Sequence, residues 1–219
     1  GIAALSSLIA GGFVARFGAM RVNQGCLMLA ALSLWLTAVG EVTAAAAAAV
    51  VLGLAYGPVT PASSHILAQV TAPQRMNLVF SLKQTGVPLG NALAGALLPG
   101  LALIAGWRLS TVILGVVCAS LALALQRFRA AFDGDRQPGQ AVLSAARFVG
   151  PVRQVIGSRP IRLLALTSVA FGGMQVCLGA FLTSYLSRDV GLSLVAAGFA
   201  LSAAQAAGGL AQINRGERR

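Results

Sequence analysis

The sequence predicts an all-α membrane protein, a bundle of apolar helices, and three observations point to it. Its 219 residues are 57% hydrophobic and only 10% charged, whereas an ordinary soluble domain is roughly 45–50% apolar and about 25% charged. Seven apolar runs divide the chain, most of them near the roughly 20 residues that a helix needs to cross about 30 Å of hydrocarbon. The basic residues, which give a formal charge of +11, collect in alternate connections between the runs. A nucleic-acid surface would gather such cations on one face with interleaved aromatics, so the charge reads as membrane topology and no nucleic-acid partner is expected.

The runs fall at residues 2–15, 22–39, 42–68, 78–105, 109–125, 163–186 and 192–213. The first covers about 21 Å at 1.5 Å per residue, too little to cross, so its beginning is expected ahead of Gly1. No basic leader with a cleavage site opens the chain. Cytoplasmic connections of membrane proteins retain Lys and Arg. Here Arg16, Arg21, Arg75, the arginines between positions 127 and 162, and Arg215, Arg218 and Arg219 share one face, against only Arg108 and Arg188 on the other. That bias places the connection after the first run in the cytoplasm, and predicts a multi-pass protein of the cell inner membrane with the lipid bilayer as its first partner.

A turn-rich cluster, Asp133, Gly134, Asp135, Arg136, Gln137, Pro138 and Gly139, separates five runs from two. The expected organisation is a helical half at 1–126, a cytoplasmic interdomain loop at 127–161, and two helices of a second half at 162–219. Within the loop, residues 141–156 carry Val142, Leu143, Phe148, Val149 and Val152 beside Arg147 and Arg153. That pattern suits either a helix lying on the anionic inner leaflet or a solvated basic linker. Cys26, Cys118 and Cys177 each sit inside an apolar run without CxxC spacing, and His65 is the one histidine. They read as small core residues, and neither a metal nor a cofactor is expected.

After the first run comes Gly11, Gly12, Phe13, Val14, Ala15, Arg16, Phe17, Gly18, Ala19, Met20, Arg21, which resembles the G-x-x-x-D-R-x-G-R hairpin motif of the major facilitator superfamily. Gly11, Arg16 and Gly18 fall in register, Arg21 supplies a basic residue slightly late, and Ala15 stands where the family usually has aspartate. Gly53, Leu54, Ala55, Tyr56, Gly57 and Pro61 are similar to the family's fourth helix, and Ala72, Pro73, Gln74 and Arg75 to the loop that follows it. Gly86, Gly90, Gly95, Pro99 and the corner Gly106, Trp107, Arg108 resemble its fifth helix and outer turn. The resemblance implies a major-facilitator-type bundle, here incomplete and spanning the second to eighth helices, in which two halves rock about a central substrate path. Without the first helix and the last four, the chain alone is expected not to transport.

Candidate chemistry is sparse. Lys83 is the one ionisable residue well inside a run, where burial is costly unless the side chain meets a partner or a water-filled path. It is a candidate contact for an anionic substrate, with Gln84 and Thr85 beside it; alternatively its stem snorkels to the interface. His65 follows Pro58 and Pro61, whose missing donors free carbonyls that could line a cavity, and Gln175, Thr183 and Gln205 either face the path or bond between helices. Gly86, Gly90 and Gly95 read as close-packing positions. Within the resemblance, Ala15 and Ala49 stand where many drug and proton exchangers carry aspartate and arginine, and Asn91 where a proline commonly follows the glycine pattern, so proton-linked drug efflux is disfavoured.

The function these features predict is secondary transport of a small solute, an organic anion on the strength of Lys83. Two alternatives stand beside it: a non-transporting remnant of a truncated gene, and a membrane-embedded enzyme. The latter needs a convergent nucleophile, base or metal set, yet the runs hold no Asp or Glu, and no HExxH or GxSxG occurs.

Overall fold

The computed structural model describes residues 1–139, 142, 150, 153–193, 196–201, 203 and 204. Among them every regular element is helical. In chain order these are α1 (Ile2–Phe17), α2 (Ala19–Val39), α3 (Val42–Val70), α4 (Met76–Ala124), the short α5 (Arg129–Phe132) and α6 (Arg159–Arg188), with 3₁₀ turns at Pro73–Arg75 and Leu125–Phe128.

The helix ends follow local chemistry. Alanine is the strongest helix former, and α3 opens on the run Ala44 to Ala49. Helix α2 stops at Gly40, whose left-handed backbone (φ 84°, ψ 10°) lets its N–H bond the Thr37 carbonyl, a conformation that favours glycine. Only Gly18, at φ 94° and ψ 150°, separates α1 from α2. The expected boundaries shift accordingly, since α1 continues to Phe17 and α2 begins three residues before the apolar run, at Ala19. Residues 78–105 and 109–125, read as separate runs, lie in α4, whose one non-helical position is Gly106 (φ 76°, ψ 156°). The chain turns there on a single glycine. Of the stretch 141–156, residues 153–156 are helical and most of the rest lies outside the described residues; of the seventh run, residues 196–201 are helical and its end lies outside them.

The chain forms two compact units, residues 1–71 with 105–150, and residues 72–104 with 151–219. In the first, α3 lies against both α1 and α2. What is buried there is small: Ala10, Ala19, Ala31, Ala48, Ala55 and Ala62 are at most 3% exposed, and Gly12, Gly57, Ser6 and Ser33 are buried beside them. Large apolar side chains point outward there, as with Leu5, Val42 and Leu123. A soluble protein buries its large aliphatics. Small residues between helices and large ones facing out are the membrane arrangement, where lipid is as apolar as leucine and close backbone approach supplies the packing. Helices α2, α3, the α4 region and α6 are long and apolar enough to cross a membrane.

The α1–α3 contact shows the principle. A methyl group at Gly53 would press on the Ile2 side chain, and one at Gly57 would fall onto the Ser6 hydroxyl and the Ala3 carbonyl. The absent side chains let the Ser6 Oγ donate to the Gly53 carbonyl at 2.9 Å. Between α2 and α3, Ser33 Oγ donates to the Ala48 carbonyl at 2.9 Å. Gln24 Nε2, buried on α2, donates to the Ala122 carbonyl and to Gln126 Oε1, each at 3.0 Å.

Candidate functional site

Two places carry the polar chemistry of the described residues: the turn joining α1 to α2, and the first turns of α4.

At the α1–α2 turn, the helix α1 ends with unpaired carbonyls and α2 begins with unpaired N–H groups, as all helices do. The segment Asp133 to Gln137 answers both needs. The Asp133 carboxylate, buried at 5% exposure, accepts from the backbone N–H of Met20 at 2.8 Å and of Arg21 at 3.2 Å. A carboxylate at a helix start satisfies orphan donors and complements the positive end of the helix dipole. Gln137 does the opposite at the α1 end, its N–H donating to the Ala15 carbonyl at 2.7 Å. Arg129, one turn before Asp133, adds an ion pair at 3.4 Å. The segment also reaches α3, where Asp135 Oδ2 pairs with His65 Nε2 and accepts from Gln69 Nε2, both at 2.6 Å. One loop therefore ties the adjoining ends of α1, α2 and α3.

This clasp explains the hairpin glycines. Gly18 needs its positive φ, and any side chain there would strike the Asp133 carboxyl. Gly12 approaches the Val142 carbonyl so closely that a methyl group has no room, whereas Gly11, the glycine in register with the family motif, meets nothing within 4 Å. Arg16 rests over the Phe17 ring, 5.5 Å from its centroid, and Arg21 is exposed. The same contacts sort the ends of this unit. The α1–α2 turn, the His65 end of α3 and residues 126–137 share one side with Arg16, Arg21, Arg129 and Arg136; on the other, Gly40 packs against Trp107 and Arg108. Charge asymmetry alone gave the same division.

In α4, Lys83 is half-buried with its Nζ 5.9 Å from the Phe80 ring centroid, one turn toward the helix start. Gln84 is exposed, and the Thr85 hydroxyl bonds back to the Leu82 carbonyl at 2.6 Å. Gln175 is exposed on α6, and Gln205 lies outside the described residues. His65 belongs to the clasp, so its visible partners are Asp135 and Gln69. Gly86 and Gly90 meet no atom within 4 Å, and the Gly95 carbonyl instead receives the close approach of Gly198. Among the described residues no group of three His, Cys, Asp or Glu side chains could hold a metal ion.

Asp133, Asp135, Gln137 and Gln24 are the contributors that motif reading passes over. A usable signal existed for the aspartates: the chain has only five acidic residues, and two stand in one turn-rich cluster.

Apolar crossing helices, small-residue packing and one arginine-rich side define a multi-pass α-helical membrane protein. The profile of the Major Facilitator Superfamily matches residues 1–216. The chain belongs to that superfamily, a family of secondary transporters rather than enzymes, which work in a lipid bilayer on small-molecule substrates. A comparison with curated proteins gives no match.

Proposed function

We propose that this transporter carries a small organic anion across the cell inner membrane by alternating access, with Lys83 contacting the substrate near the inner mouth of the path. The observation that carries the reading is Lys83 itself. It is the one charged side chain away from the ends of the described spans, about 10 Å along α4 at 1.5 Å per residue, and it is half-buried. A cation held at that depth is retained at a cost unless it serves a partner or a pathway. Gln84 and Thr85 on α4 and Gln175 on α6 are the accompanying polar groups, and His65 would couple the inner end of α3 to the clasp. The hairpin residues Gly11, Arg16, Gly18 and Arg21 act as the inner gate, and Gly95, approached closely by Gly198, is a helix-packing position. In this reading residues 1–126 belong to the N-terminal half, 127–161 form the cytoplasmic interdomain loop, and 162–219 open the second half.

The test is counterflow of radiolabelled mono- and dicarboxylates by the transporter in proteoliposomes. Lys83→Ala should abolish uptake while membrane insertion stays normal. Lys83→Arg keeps the charge but not its geometry, and should retain a fraction. Uptake by Lys83→Ala equal to wild type would reduce Lys83 to an interfacial anchor.

A further inference from the structure

We propose that an arginine-lined recess beside the α1–α2 turn is a phosphate-binding site, occupied by the headgroup of an anionic phospholipid. The recess, about 400 Å³, is lined by Arg16, Phe17, Arg21, Arg129, Arg136 and Pro138. Its four arginines come from three places in the chain: the last turn of α1, the first turn of α2, and α5 with the clasp. Bringing four like charges to one cavity is unfavourable unless an anion joins them. Asp133 does not fill that role, because its oxygens are committed to the Met20 and Arg21 N–H groups and to Arg129. Among the described residues, Arg16, Arg21 and Arg136 form no ion pair.

The chemistry of the lining selects the ligand. Guanidinium groups present planar forks that match phosphate oxygens. The volume is within the range of small-ligand pockets, about 300–1,000 Å³, and so exceeds what a bare ion needs. The position favours a lipid over a free anion: the recess sits where α1 and α2 reach the arginine-rich membrane face, the depth at which basic pockets meet headgroups. Phe17, 42% exposed, adds an apolar wall to the cationic ones, which suits a headgroup continuing into glycerol and acyl chain. Its occupancy does not depend on which solute is carried.

The experiment uses the purified protein in neutral detergent, titrated with fluorescent phosphatidylglycerol and, separately, phosphatidylcholine. Arg21→Gln with Arg136→Gln should weaken phosphatidylglycerol binding about tenfold or more, since each removes a charge-assisted hydrogen bond. The control pair Arg108→Gln with Arg127→Gln, outside the recess and equal in charge, should stay within about twofold if binding is site-specific rather than set by net charge. Arg136→Gln alone, on an exposed loop position, supplies a milder variant should the double one lose its helical circular dichroism. Phosphatidylcholine should bind weakly to all. Displacement of phosphatidylglycerol by millimolar inorganic phosphate would keep the phosphate site but overturn the lipid as its occupant. Equal losses in the recess and control pairs would overturn the site.

Discussion

The α1–α3 unit and helix α6 differ in what their polar side chains reach: some in the first bond another element, whereas Thr167 and Ser168 on α6 bond only their own helix. Around α1–α3, two hydroxyls, an amide and a carboxylate reach another element: Ser6 to Gly53, Ser33 to Ala48, Gln24 to Ala122 and Gln126, and Asp133 accepting from Met20 and Arg21, while Ser7, Thr37 and Ser63 bond their own helix. On α6 two hydroxyls turn inward on their own helix. Thr167 bonds the Leu163 and Leu164 carbonyls at 2.8 and 3.0 Å, and Ser168 bonds Leu164 at 2.8 Å. Leu163, Leu164, Leu166, Phe171 and Met174 are all more than half exposed, and none of the apolar window of α6 is buried. A hydroxyl in a membrane helix must find an acceptor, and the nearest is the carbonyl four residues back. It becomes a tie between helices only where small neighbours bring a second backbone within reach. In this protein glycine and alanine decide which polar groups hold the fold together.

That difference can be broken deliberately, with stability read as thermal unfolding in detergent by reaction of the buried Cys26 thiol with a dye, after exposed Cys177 is replaced by alanine. The largest effect is expected at Gly57, where Gly57→Leu drives a side chain into Ser6 and the Ala3 backbone and should cost about 3 kcal/mol. Gly86→Leu, in the open space along α4, should change stability by less than ~0.5 kcal/mol. Equal losses at the two glycines would remove the distinction between packed and unpacked small-residue pairs.

Next comes the clasp. Asp133→Ala leaves the first N–H groups of α2 and Arg129 without their buried acceptor, at a cost of about 1–3 kcal/mol. Asp133→Asn keeps one oxygen for Met20 or Arg21 and should recover part of it. A neutral outcome for both would mean that water replaces the carboxylate without loss. On α6, Thr167→Ala with Ser168→Ala removes only bonds within one helix and should stay within ~0.5 kcal/mol, and a larger loss would reveal an interhelical role for that face.

The contrast also measures what the sequence makes legible. Spans α2 and α3 were readable because nearly unbroken apolar runs end at glycine or at polar clusters, and the corner at Gly106 because Gly106, Trp107 and Arg108 interrupt the apolar pattern. Two kinds of information were not local. Gly53 and Gly57 carry the same four-residue spacing as Gly86 and Gly90, yet only the first pair packs closely among the described residues, and the spacing alone names no partner. Asp133 acts on Met20, 113 positions away, so the carboxylate missing at Ala15 looked like a loss until the fold brought another to the same turn. As the unbroken run 42–68 predicts, α3 continues through Pro58 and Pro61, because each removes only one donor and the rest of the ladder continues.

The clasp and the arginine recess share the side that the arginine bias predicts to be cytoplasmic, and that prediction is open to one direct measurement. In a background without Cys26, Cys118 and Cys177, single cysteines replace Gly134, in the clasp loop, or Glu41, exposed at the other end of the same unit. Intact cells are then treated with a membrane-impermeant maleimide. Glu41→Cys should react from outside and Gly134→Cys only after the membrane is opened, because arginine-rich loops resist translocation. Reaction of Gly134→Cys in sealed cells, with Glu41→Cys protected, would contradict it.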